Sequence, residues 1–349
     1  MGGGAICRPC LKFRNMEAGM KRKKVSYAKY GYFFCIPFVL AFLIFSLYPI
    51  IYTMLIGFTD LKGLGTTEIH FLKEDLFKNF KTILGNNSFQ IAFKNTWKMW
   101  IINFIPQIVL ALLLAAWFTD TRSKIKGQGF FKVVFYLPNI ITAATVAILF
   151  AAFFGHPMGP VNDIFMSLGW SDQPIYFLRN KAVAQGIIEF IQFWQWYGYT
   201  MIVLISGILG ISPEIFEAAE VDGANRIQTF FYVTIPNLKT ILLFSLVTSL
   251  IGGLQMFDIP QLFISKQGPD NATLTTSVFI YNQAFSGSYL YNRAAAASVI
   301  MFLIICAASA CLFITLRDNE EIQLHKLMKQ QEKEYRFALR AARKEGKVK

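Results

Sequence analysis

The stretch that decides the fold is Glu217-Ala218-Ala219-Glu220-Val221-Asp222-Gly223, closed further on by Ile235-Pro236. It is polar, and it separates two apolar runs, 182–209 and 240–259. A connection between two such runs needs no structure of its own, yet this one carries the signals of two short helices and a hinge. Ser212 is a candidate N-cap, Pro213 suits the first helical position, and Glu214 and Glu217 fall where a helix N-terminus favours anions. Asp222-Gly223 is a turn signal. Residues 224–234 then read as a second helix, stopped before Pro236. An ordered, polar helix pair between two apolar runs is shaped to be gripped by something else.

The flanking runs set the class. Of 349 residues, 54% are hydrophobic and only 16% charged, well below the roughly 25% charged of soluble domains. A bilayer crossing takes about 20 apolar residues. Six runs reach that length: 32–53, 96–118, 133–154, 182–209, 240–259 and 294–316. The fourth is the least clean, because Glu189, Gln192 and Gln195 interrupt its start. The first is too long for a secretory leader and is followed by no small-residue cleavage site.

Orientation follows from the basic residues. With both termini inside, the inner segments hold 24 Lys and Arg and the outer segments hold 10. That bias puts the Glu217–Pro236 stretch in the cytoplasm. The net charge of +13 is then a topology signal and an attraction to anionic membrane lipid. It is not a nucleic-acid footprint, since the basic residues flank spans and do not gather on one face.

The spacing of the opening stretch resembles the EAA loop of binding-protein-dependent ABC transporter permeases. That pattern is Glu-Ala-Ala, three residues, Gly, nine residues, then Ile-x-Leu-Pro. Here it stands as Glu217-Ala218-Ala219, Gly223 and Val233-Thr234-Ile235-Pro236, with two aliphatic exchanges. The likeness extends over about 30–317: Asn95-Thr96, Phe131-Lys132, Leu137-Pro138-Asn139, Gly159-Pro160-Val161-Asn162, Met256-Phe257-Asp258, Gly268-Pro269 and Ala294-Ala295-Ala296 resemble sugar-type, MalF-like carbohydrate permeases. Gln267 departs from the Gly that often precedes Gly-Pro there.

The resemblance implies an all-α membrane protein of six transmembrane helices, the type I ABC importer permease fold. Its parts would be a basic cytoplasmic segment at 1–30, a permease domain at 31–316 with a coupling loop at 211–237, and a charged cytoplasmic tail at 317–349. It implies ATPase coupling through Glu217, Ala218, Ala219, Asp222, Gly223, Ile235 and Pro236. It implies four kinds of partner: a homologous second permease completing the pore, ATPase subunits, an extracytoplasmic sugar-binding protein and membrane lipid. The expected location is the bacterial inner or plasma membrane, with both termini cytoplasmic. Residues 1–19 lack a packing pattern and Met20-Lys21-Arg22-Lys23-Lys24 is a more typical start, so 1–19 reads as dispensable.

Covalent chemistry is not indicated. G-x-x-x-x-G-K-[ST], H-E-x-x-H and G-x-S-x-G are absent from the sequence, and three His at 70, 156 and 325 form no cluster. Cys7 and Cys10 make one CxxC with no second ligand pair nearby. The chain is expected to hold no cofactor and no metal and to have no catalytic residue, with ATP and Mg bound in the partner ATPase. Polar residues inside spans are functional candidates: Asn103 and Gln107, Asn139 and Thr142, and the row from Glu189 to Tyr199. A sugar path needs amides for hydroxyls and aromatic surfaces for ring faces. Gln192, Gln195, Trp196 and Tyr199 recur at helical spacing and, with Gln255 and Asp258, are assigned to that path. The alternatives are helix-to-helix glue and an interfacial aromatic belt. A polyol phosphate or other small solute is the second substrate class. A proton-coupled secondary transporter would want acidic or His relays deep in the spans, and these are nearly absent.

Overall fold

Each apolar run of the sequence folds as helix, two of them with a break. The structure, a computed structural model, describes residues 28–65, 68–120, 126–264, 267–287, 289–316, 327–334 and 337. The readings of 1–19, of Cys7 and Cys10, of the basic flank at 20–24 and of most of the tail lie outside them. Among the described residues there is no strand, only an isolated bridge between Thr59 and Phe71. The tail's 327–334 is helical and exposed.

By its Cα packing the chain falls into two units, Met1–Leu55 and Ile56–Lys349. The first is built on α1, Ala28–Phe42, which runs on through a π turn, Leu43–Leu47, into Tyr48–Ile56. Its apolar window has a mean hydropathy of 2.4 and none of it is buried. A helix apolar on every face suits lipid.

The second unit holds α2 (Lys78–Leu84), α3 (Asn87–Thr119), α4 (Gln128–Ile140), α5 (Ala143–Phe153), α6 (Pro160–Ser167), α7 (Lys181–Leu209), α8 (Pro213–Val221), α9 (Arg226–Gln228), α10 (Lys239–Leu254), α11 (Asp258–Phe263), α12 (Thr276–Phe285) and α13 (Tyr291–Leu316). By length and composition, four helices among the described residues of the whole chain, α1 with its continuation included, can cross a membrane, or up to six if each of two bent pairs is one span. α3 begins nine residues before the apolar run at 96 because Asn86 caps it, accepting from the Phe89 amide at 3.2 Å, and because Phe89 and Ala92 join the core. Asn180 caps α7 in the same way, accepting from Ala182 at 2.9 Å.

Two expectations need correction. The run at 133–154 is not one helix: α4 and α5 meet at 86°. Ile141 and Thr142 are extended there, and Thr142 Oγ1 caps α5 by accepting from the Thr145 amide at 3.3 Å. The run at 240–259 stops at Leu254 and resumes as α11. In α2, Phe80 packs with Phe58 and Phe77. Beside it the Lys81 ammonium, bonded at 2.9 Å, holds the exposed Asp75 carboxyl below its ordinary pKa.

α3 and α7 are the spine, and two apolar clusters sit along them. One gathers Met99, Trp100 and Phe104 of α3 with Ile188 and Ile191 of α7, Leu250 and Leu254 of α10, and Met301 of α13. The other, toward α8, gathers Ala111, Ala115 and Phe118 with Met201, Leu204, Ile208 and Leu238. Beyond the first cluster Asn95 ties the 267–276 segment down. Its Nδ2 donates to the carbonyls of Asn271 at 2.9 Å and Leu274 at 3.1 Å, and its Oδ1 accepts from Gln185. Thr96 Oγ1 accepts from the Thr276 amide at 2.9 Å. Asn95-Thr96 is therefore an anchor for a loop.

Candidate functional site

Between the two apolar clusters the spine turns polar. Asn103 and Gln107 of α3 and Gln192, Trp196, Tyr199 and Thr200 of α7 face Ser245, Thr248, Ser249, Gly252 and Gly253 of α10 around a cavity of about 220 Å³, with Trp100 completing the α3 wall. That is smaller than the roughly 300–1,000 Å³ of pockets for drug-sized ligands. No lining side chain carries a formal charge at neutral pH.

The walls are held in place. Gln107 Nε2 donates to Thr200 Oγ1 at 2.8 Å, and Thr200 Oγ1 donates to the Trp196 carbonyl, one turn back, at 3.1 Å. Trp100 Nε1 donates to Ser249 Oγ at 3.2 Å, and its ring stacks on Phe104. Asn103 Nδ2 is spent on the Met99 carbonyl of its own helix. Ser245 is different. It is 7% exposed, lines the cavity, and its hydroxyl has no partner among the described residues. An unpaired buried hydroxyl is costly, and this one is covered by its neighbours and not open to the cavity.

Of the residues assigned to a substrate path, the structure brings Gln192, Trp196 and Tyr199 to the cavity and leaves three elsewhere. Gln195 lies on another face of α7, where its Nε2 donates to the Ile141 carbonyl at 3.2 Å and pins the α4–α5 break. The four do not share one face because 195 and 196 are about 100° apart on a helix of 3.6 residues per turn. Gln255 is the exposed C-cap of α10, and Asp258 is exposed in the first turn of α11. Both sit past the point where α10 breaks, and neither lines the cavity. Glu189 is buried between the apolar positions 188 and 191, with Oε1 unpartnered among the described residues.

The sequence reading missed the α10 wall. Its signal was present: 245, 248/249 and 252/253 recur at three- and four-residue steps, all hydroxyl or glycine.

The residues assigned to coupling lie at the far end of α7, where the chain turns 75° into α8. Pro213 opens α8, but Ser212 makes no side-chain cap, so Pro213 and the acidic first turn carry the start alone. The end of α8 follows from Gly223. With Gly223 at φ 78°, its amide donates to Glu220 and the Ala224 amide donates to Ala219, a paired closure that only a left-handed residue permits. Asn225 and Gln228 then form a reciprocal capping box that starts α9. The second helix does not stop before Pro236. It continues as a π turn, Thr229–Thr234, and through Ile235–Asn237. In a π turn the amide partner shifts from i−4 to i−5, and the run absorbs the donor that Pro236 lacks.

Glu217, Ala218, Asp222, Gly223 and Pro236 are exposed, Ile235 is half-buried and Ala219 is buried. Phe216 packs against the second cluster, so α8 is anchored on one face only. Val221, Ile227, Phe231 and Tyr232 are exposed beside the polar residues. Arg226 Nε reaches Asp120 Oδ2 at 3.3 Å and links α9 to the end of α3. No group of three or more His, Cys, Asp or Glu suited to a metal occurs among the described residues.

An all-helical unit with span-length apolar helices, a polar mid-span cavity and an exposed helix pair at one end defines a membrane permease. Residues 96–317 match the model of the family described as binding-protein-dependent transport system inner membrane component, and the chain belongs to that family. It is 30% identical over 291 residues to the lactose transport system permease LacF of Rhizobium radiobacter, covering 83% of this chain and 95% of that one. It is 29% identical over 275 residues to the arabinooligosaccharide transport permease AraP of Bacillus subtilis, covering 78% and 84%. In fold it is similar to a chain of the crystal structure of a bacterial ABC transporter that imports the acidic polysaccharide alginate. The TM-score is 0.70 at 24% identity, with 84% of this chain and 97% of that one covered. The fold is thus that of type I ABC importer permeases, and the chain is an inner-membrane component of a transport system that depends on a binding protein.

Proposed function

We propose that this chain is the permease subunit of an ATP-driven importer of sugars or oligosaccharides and forms one half of its pore. The observation that carries the reading is the cavity. It offers two indoles and a phenol for ring faces, amides and Ser and Thr residues for sugar hydroxyls, and no charge. A solute of many hydroxyls and apolar ring faces matches that lining. The two named relatives, a lactose and an arabinooligosaccharide permease, support the same class. A polyol phosphate is disfavoured, because phosphate recognition calls for Arg or Lys and the lining has neither.

A second, homologous permease completes the pore, and an extracytoplasmic binding protein delivers the sugar. Two ATPase subunits, which hold ATP and Mg, grip α8 and α9 through Glu217, Ala218, Asp222 and the exposed apolar side chains around them. Closure of the ATPase pair moves this helix pair, and the rigid spine carries the motion to the cavity as a two-state switch. Both termini lie in the cytoplasm.

The test is co-expression with the companion subunits, uptake of neutral di- and trisaccharides beginning with lactose, and uptake of an alginate oligosaccharide as the anionic arm. Gly223→Pro, which cannot adopt φ 78°, is expected to abolish uptake and ATPase co-purification while the chain still inserts. Uptake of the anionic arm alone, or normal ATPase binding by the variant, contradicts the proposal.

A further inference from the structure

The α10 wall carries two consecutive glycines, and they differ. A Cβ on Gly253 would run into the Trp100 ring, so that backbone is the seat on which the indole rests. A Cβ on Gly252 would meet nothing within 4 Å. Gly252 lines the cavity and sits inside a helix at an ordinary φ, where alanine is the better residue. Neither a clash nor a turn accounts for its missing side chain. Gly252 is exposed on the cavity's lining, so a side chain there would stand in the open space at the cavity's edge.

The rest of the wall agrees. Ser245, Thr248 and Ser249 are small, while α3 and α7 present Trp100, Trp196 and Tyr199. Two walls are bulky and one is pared back.

We infer that Gly252 is a specificity-determining residue: it sets the width of the sugar that the cavity admits. The inference rests on the proposed sugar path. Gly253 fixes where the Trp100 face stands, and Gly252 leaves the gap beside it. A side chain at 252 closes that gap without disturbing α10, since alanine and leucine are both strong helix formers. The loss therefore grows with side-chain volume. Bulkier sugars fail first, and the assembly does not loosen.

The experiment uses the assembled transporter in membranes. In one arm Gly252→Cys is introduced with the five native cysteines replaced by serine and is treated with methyl methanethiosulfonate and with a bulky maleimide. The introduced thiol is expected to react with the small reagent and at least about tenfold more slowly with the large one, the discrimination typical of a pocket short of a few methylenes. In the second arm lactose uptake is measured for Gly252→Ala, Gly252→Leu and Trp196→Ala. Gly252→Ala lowers it in part and Gly252→Leu by about tenfold or more, with co-purification and basal ATPase retained. An unreactive thiol overturns the inference whatever the substrate. Uptake kept by Gly252→Leu but lost in Trp196→Ala also overturns it, and leaves the sugar path standing. Uptake kept by both variants means that the sugar path itself has failed.

Discussion

Two faces of α7 carry the same kinds of residue and do opposite things. On one face Gln192, Trp196 and Tyr199 open onto the cavity. On another, Gln195 is spent on the Ile141 carbonyl, and Gly198 lets α4 approach so closely that a Cβ would run into the Phe135 carbonyl. Two glutamines three residues apart thus have different work. Gln195 satisfies a backbone group left free where α4 breaks, and Gln192 is half-buried with its surface toward the cavity. Composition cannot separate them. What separates them is which neighbouring helix stands opposite.

The sharpest way to break the comparison is at Gly198. Gly198→Leu forces α4 and α7 apart at a backbone contact. Overpacking of that kind costs about 1–3 kcal/mol or more, and the expected result is loss of a folded, purifiable chain, read by yield and thermal unfolding in detergent. A stable Gly198→Leu chain would show that the crossing is loose. Next comes Gln195→Leu, which strands the Ile141 carbonyl. A buried acceptor left without a partner costs about 1–3 kcal/mol; this one is half-buried, so the cost falls toward the low end, the unfolding midpoint drops, and any fall in uptake follows the loss of intact complex. The smallest effect on stability belongs to Gln192→Leu. Its surface faces the cavity, so stability stays within about 0.5 kcal/mol of wild type while sugar uptake drops. Equal stability losses at 192 and 195 would erase the distinction between the two faces.

How much was legible in the sequence follows the same division. The spans were legible because apolar length is a one-dimensional signal. The hinge in the Glu217–Pro236 stretch was legible because Gly223 follows Asp222 at the end of a helical stretch, and the structure gives it φ 78°. The break between α4 and α5 was not read, because apolarity continues through Ile140 and Ile141, and the Thr142 cap is one hydroxyl in that run. Pro236 misled in the other direction: a π turn carries the helix past it. At the cavity, helical spacing found 192, 196 and 199 but admitted 195, since a one-residue difference on a helix is visible only against its partners. Gln255 and Asp258 were drawn in by polarity alone and fall beyond the end of α10. The α10 wall was hidden because glycine and serine announce nothing until a cavity is seen beside them.

The most direct test of the account is uptake of a neutral disaccharide, with lactose as the probe, by the assembled transporter carrying Trp196→Ala. Trp196 is 45% exposed and lines the cavity, so truncating it removes a ring face without emptying a packed core. The account predicts that the complex purifies intact with its basal ATPase and that uptake falls by about tenfold or more, as for loss of one principal contact worth about 1.4 kcal/mol. Uptake at the wild-type rate, or a complex that no longer assembles, would contradict the claim that this face of α7 is the path of the sugar.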